Sequence, residues 1–203
     1  MNDSLSMSER ISTRIKTVDY KVFTAKDFIE LGNIKTINKN LERMEKSGTI
    51  RRIISGVYDI PKFSSVLEEF AAPSIRDVAY ALARAYNWKI CPSGTSALNY
   101  LGLSTQVPAQ YIYVSSGPYK KYYIANRELV FKHTNNRMMF DSSKETSILI
   151  QAIKEIGKDN INILQKDKIR DYFVGNSNII MIREESRNAP AWIYEEIKEI
   201  FEV

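Results

Sequence analysis

Four basic side chains, Lys35, Lys39, Arg43 and Lys46, recur at intervals of three and four residues. On a helix turning about 100° per residue they stack along one side. Cations in such a row neutralise phosphates. Arginine and asparagine can also bond guanine and adenine edges in pairs of hydrogen bonds. Thr36 and Asn40 flank the row, and Glu42 interrupts it. Arg51 and Arg52 follow within a β-branched run at 50–54. These eight residues, Lys35, Thr36, Lys39, Asn40, Arg43, Lys46, Arg51 and Arg52, offer non-covalent chemistry: contact with double-stranded DNA.

A second basic and aromatic surface is expected at Tyr119, Lys120, Lys121, Tyr123 and Arg127. Aromatic rings interleaved with cations can stack bases and meet phosphates. The alternative is a strand pair with half-buried tyrosines and lysines guarding an edge.

Covalent chemistry finds less to work with. His133 is the sole histidine and Cys91 the sole cysteine, so any Ser-His or Cys-His arrangement must use His133. The serines of the 92–96 segment, P-S-G-T-S, lack the G-x-S-x-G spacing that exposes a nucleophile on an elbow. There is no phosphate-binding G-x-x-x-x-G-K-[ST], no G-x-G-x-x-G and no H-E-x-x-H. A zinc site would have to rest mostly on carboxylates. The sequence therefore predicts no catalysis, no cofactor and no metal.

The elements that must position the basic row can be read outward from it. Ile34, Ile37, Leu41 and Met44 form the opposite, apolar stripe of a helix ended by Gly48. Before it, Thr24 and Asp27 suit a capping box and Phe23 and Phe28 a hydrophobic staple, opening a helix of about two turns with Gly32 as a left-handed stop. Ser6 and Glu9 cap an earlier helix at 6–18. After Gly48, runs at 50–54 and 57–60 flank a Ser55-Gly56 turn and predict a hairpin. This order is that of a winged helix-turn-helix over residues 1–60. Residues 61–73 read as a linker and the start of a second domain, with that domain occupying 74–203. It is expected to be α+β: a helix from Ser74, three strands near 111–114, 122–124 and 128–132 forming a small antiparallel sheet, and a helical tail from about 141. Within the tail, Ser142 and Glu145 suit a capping box and Gly175 ends a helix at 167–174.

The net charge is +5, and residues 1–60 hold 11 Lys and Arg against 8 Asp and Glu. The excess thus gathers beside the basic row, as an electrostatic footprint would. No run approaches the length of a membrane span, and no signal-peptide core is present at the N-terminus. With a single cysteine, a cytoplasmic location is expected.

The segment P-S-G-T-S-A-L-N-Y-L-G-L-S-T-Q-V-P (92–108), then Y-I-Y-V-S-S-G and the Y-K-K-Y-Y-I hairpin, resembles the AbiEi-type antitoxin family, as do Gly48, Ile50, Arg52, Gly56 and Tyr58 within a G-x-I-x-R…G-x-Y signature. The resemblance covers about residues 20–135. It implies a bacterial, phage-defence role in a type IV toxin–antitoxin, or abortive-infection, system. The first domain would bind operator repeats as a homo-oligomer and repress its own operon. The second would counter a nucleotidyltransferase-type toxin without a stable complex. The alternatives are a winged-helix scaffold for protein interactions and a stand-alone transcriptional regulator with no toxin partner.

Overall fold

The computed structural model describes residues 5–66, 68–136, 138–175 and 178–201. The chain divides into two compact units, Met1–Trp88 and Lys89–Val203. The fold is mixed α and β.

In the first unit, α1 (Met7–Thr17) is closed at its start by Ser6 and Glu9, whose carboxylate accepts from the Ser6 amide at 2.8 Å. Strand β1 (Val22–Thr24) leads into a helix over Ala25–Leu31. Asp27 accepts from the Thr24 amide at 2.7 Å, and the Phe23 and Phe28 rings meet edge to face at 5.5 Å, so the cap and staple form as the spacing predicts. Two details differ. The helix is 3₁₀ rather than α, and Gly32 is not a left-handed stop: it has φ +153° and ψ −160°. An added Cβ there would lie 3.0 Å from Met7 Cε, so glycine serves a close approach as well as a backbone angle.

Helix α2 (Ile34–Lys46) is capped by Asn33, which accepts from the Lys35 amide at 2.8 Å. The hairpin of β2 (Arg51–Ile54) and β3 (Val57–Asp59) turns at Gly56, φ +75°. The sheet order is β1-β3-β2, antiparallel throughout. Ile11, Ile15, Phe23, Phe28, Ile37, Leu41, Met44, Ile50 and Tyr58 bury one another beneath it. Residues 61–73, read as linker, contain a small hairpin of β4 (Phe63–Ser64) and β5 (Glu69–Phe70).

Helix α3 (Ile75–Tyr86) packs on β1, β3 and the 3₁₀ helix, within the first unit, whereas the sequence opened the second domain at Ser74. The physical reason is a polar anchor that no linear pattern announces. Arg84 donates to Asp27 at 2.9 Å and to the Val22 carbonyl at 2.9 Å, and its guanidinium lies 4.0 Å from the Tyr20 ring centre.

The second unit is built on β6 (Ile90–Ser93), β7 (Gln110–Ser115), β8 (Lys120–Ile124) and β9 (Arg127–His133), in the order β6-β7-β9-β8. This corrects the antiparallel expectation: β7 and β9 run parallel, while the other two pairs are antiparallel. Strand β9 carries the buried run Leu129, Val130 and Phe131, which demands a central place. Strand β8 carries Lys120, Lys121 and Tyr123 and takes the edge, where charge discourages further pairing.

Helices α4 (Thr95–Tyr100) and α6 (Lys144–Ile156) pack on β6, with α5 (Met138–Asp141) preceding α6. Helix α6 is capped by Ser143 rather than Ser142, and Ser143 is held by Glu185, which accepts from its amide at 2.9 Å and its hydroxyl at 2.6 Å. Helices α7 (Ile163–Phe173), α8 (Ile179–Ser186) and α9 (Ala191–Phe201) complete the tail. Of these, α8 was not foreseen.

Candidate nucleic-acid interface

Helix α2 sets the geometry of the basic row. Ile37, Leu41 and Met44 are buried, and Lys35, Thr36, Lys39, Arg43 and Lys46 are exposed on the other side. Among the described residues no carboxylate pairs with any of these four cations. An exposed row of this kind, net cationic even with Glu42 exposed among it, attracts polyanions and releases their counterions on contact.

Three of the eight expected contact residues are placed otherwise. Asn40 is buried: its Nδ2 donates to the Thr36 carbonyl at 2.8 Å and its Oδ1 accepts from the Ser8 hydroxyl at 3.0 Å. It lies on the flank that α1 covers, so it ties the two helices together and has no base edge to reach. Arg51 is also structural. It donates to both oxygens of Asp59, at 2.9 and 2.6 Å, and to the Ala71 carbonyl at 2.9 Å. The Asp59 hydrogen bonds hold the Arg51 guanidinium above its ordinary pKa. Arg52 stays at the surface but is partnered, 3.2 Å from Glu45 and 5.4 Å from the Tyr58 ring centre.

Ile34, expected on the apolar stripe, is exposed, and Asn38, which the reading of the sequence passed over, is exposed as well. Helical phase puts Asn38 on the same flank as Glu45, the residue that meets Arg52. That phase was available in the sequence.

The second basic and aromatic surface is partly neutralised. Lys121 pairs with Glu128 at 2.7 Å, and the same carboxylate accepts from Gln110 and from the Tyr123 hydroxyl. Glu128 is held below its usual pKa, first by Lys121 and then by Gln110, and Lys121 is correspondingly raised. Arg127 donates to the Tyr111 hydroxyl at 3.4 Å. Tyr119 and Tyr123 remain 55% and 69% exposed, and Lys120 is exposed beside them. These features match an edge strand with guarded charges better than a platform for bases.

His133 Nδ1 lies 2.8 Å from the Gly117 carbonyl and Nε2 lies 2.7 Å from Asn135 Oδ1. Cys91 is 3% exposed, and burial pushes its thiol up to about 12. Among the described residues no group of three or more His, Cys, Asp or Glu side chains is placed to hold a metal ion, and no helix is long and apolar enough to cross a membrane.

A family model described as a family of unknown function (DUF6088) matches residues 10–178, spanning the first unit from α1 and the second as far as the start of α8. A search of curated proteins finds no match. Neither comparison links the chain to the AbiEi-type antitoxins.

Proposed function

The chain belongs to the DUF6088 family, and from its own side chains we propose that it is a DNA-binding transcriptional regulator whose first unit is a winged helix-turn-helix. The reading is supported by the order α1, β1, 3₁₀ helix, α2 and the β2–β3 hairpin, with sheet order β1-β3-β2. The observation that carries it is the cationic row on α2, Lys35, Lys39, Arg43 and Lys46, which has no ion-pair partner among the described residues. In this reading α2 enters a major groove and the hairpin lies along the adjacent backbone. Thr36 and Asn38 supply base contacts, and Lys35, Lys39, Arg43 and Lys46 supply phosphate contacts.

The test is a gel shift over a salt series, comparing the duplex upstream of the protein's own gene with a random duplex of equal length. A regulator binds its own upstream DNA more tightly, and both affinities fall with salt. Equal affinity for the two duplexes refutes an operator-specific role.

We propose no catalysis of its own, and a cytoplasmic location. The wider role, autorepression as antitoxin to a nucleotidyltransferase-type toxin, rests on the resemblance of residues 48–58 and 92–124 alone. Its test is rescue of growth when this chain is expressed beside the reading frame adjacent to its gene. A protein-interaction scaffold draws support from the β4–β5 hairpin, whose Phe63 and Phe70 rings meet at 5.5 Å and yet stay about 60% exposed. Absence of any salt-dependent DNA binding favours that alternative.

A further inference from the structure

The second unit contains a cavity of about 600 Å³, framed by the β6–α4 turn, the 104–110 loop, β9 and the end of α6. Its size lies within the range of about 300–1,000 Å³ usual for small-molecule sites. The loop is held in place: Asn99 Nδ2 donates to the Ser104 carbonyl at 3.0 Å and to the Gln106 carbonyl at 2.7 Å. The turn depends on Gly94, whose φ of +61° and ψ of −147° are a combination held comfortably only by glycine. A Cβ built on Gly94 would lie 3.7 Å from the Glu155 carboxylate, so the turn backbone runs beside that acid.

Two opposite charges line this cavity. Lys132, on β9, and Glu155, on α6, are both exposed, and among the described residues neither has an ion-pair partner. Val107, Pro108 and Ile112 supply apolar lining, beside the polar side chains of Ser93, Thr95 and Gln106. A ligand carrying a single charge would cover one of these groups and desolvate the other without compensation, which is unfavourable. A ligand carrying both charges satisfies each.

We propose that this cavity binds a zwitterion with an apolar side chain, either a free amino acid or a short peptide. Its carboxylate meets Lys132, its ammonium meets Glu155, and its side chain lies on Val107, Pro108 and Ile112. The volume exceeds that of one amino acid and accommodates water or a second residue.

The test is thermal unfolding of the full chain with leucine, phenylalanine, dileucine and N-acetyl-leucinamide, the last keeping the side chain but lacking both charges. At a concentration about a hundredfold above Kd a true ligand raises the unfolding midpoint by about 5–10 °C. A rise with leucine or phenylalanine identifies a free amino acid as the ligand, and a rise with dileucine alone identifies a peptide. N-acetyl-leucinamide leaves the midpoint unchanged. Lys132→Met and Glu155→Gln each keep the unliganded midpoint and weaken binding at least tenfold. The proposal is overturned by any of three results. One is no shift from the three zwitterions up to about 10 mM, a concentration well above the Kd of even a weak site. Another is an equal shift with the blocked analogue. The last is loss of binding in only one of the two variants.

Discussion

Replacing Lys39 and Arg43 with alanine removes two of the four exposed cations in the α2 row. Each phosphate neutralised contributes about −0.9 to the slope of log affinity against log salt. Four contacts give a slope of about −3.6, a loss of roughly 150-fold between about 50 and 200 mM salt. The double variant has a slope of about −1.8, a loss of roughly twelvefold over the same interval. Among the described residues neither side chain has a partner to lose, so folding stability changes by less than about 0.5 kcal/mol.

Arg51→Ala is the matched control. It strips Asp59, whose side chain is 9% exposed, of a two-pronged partner and costs about 1–3 kcal/mol, discounted because Arg51 itself is 28% exposed. For a chain of this length that lowers the melting midpoint by about 2–4 °C per kcal/mol, with the salt slope unchanged. Fluorescence anisotropy on a labelled duplex at several salt concentrations gives the slopes, and calorimetry gives the midpoints. The reasoning fails if the double variant keeps the parent slope or melts early. It fails equally if Arg51→Ala flattens the slope as much as the double variant does.

Three further outcomes follow from the same structure. Asn40→Ala loses the links to Ser8 and Thr36 and destabilises by about 1–2 kcal/mol in denaturant titration, while the salt slope stays that of the parent. Burial pushes the Glu185 carboxyl up, but the hydrogen bonds from Ser143 and Thr146 outweigh it and hold it below its ordinary value of 4.5. A depressed folded pKa stabilises above the unfolded value and loses that contribution as pH falls through the folded one. The parent is therefore more stable than Glu185→Gln at neutral pH, and urea midpoints for the two converge as pH drops below 4.5. Cys91, with its thiol pushed up to about 12 beneath 3% exposure, resists a disulfide reagent at pH 8 in the native protein and reacts at once in denaturant.

Much of the fold was legible because its signals are local. Capping pairs such as Ser6 with Glu9, the Phe23–Phe28 staple and the 3.6-residue period of Ile37, Leu41 and Met44 act within one or two turns of chain. The outward row Lys35, Lys39, Arg43 and Lys46 follows from that period without reference to anything distant. Helix α3 was assigned to the wrong side of the boundary because its anchors, Asp27, Tyr20 and the Val22 carbonyl, are about sixty residues away from Arg84. The strand order in the second unit likewise depends on which strand is apolar enough for the centre, a comparison between strands rather than a property of any one turn.

The sequence alone determined that a cationic helix face exists and which side of α2 it occupies, since helical phase is set by neighbouring residues. Tertiary structure decided which of the flanking polar residues are free to use it. Asn40 is taken up by Ser8 of α1. In the hairpin, a register shift between Arg52 and Ile54 places Arg51 opposite Asp59 and Arg52 opposite Tyr58. A regular pairing from Ile54 and Val57 would have set Arg52 against Asp59. One extra residue in a strand thus chose which arginine Asp59 holds, because cross-strand electrostatics follow register and register depends on the whole sheet.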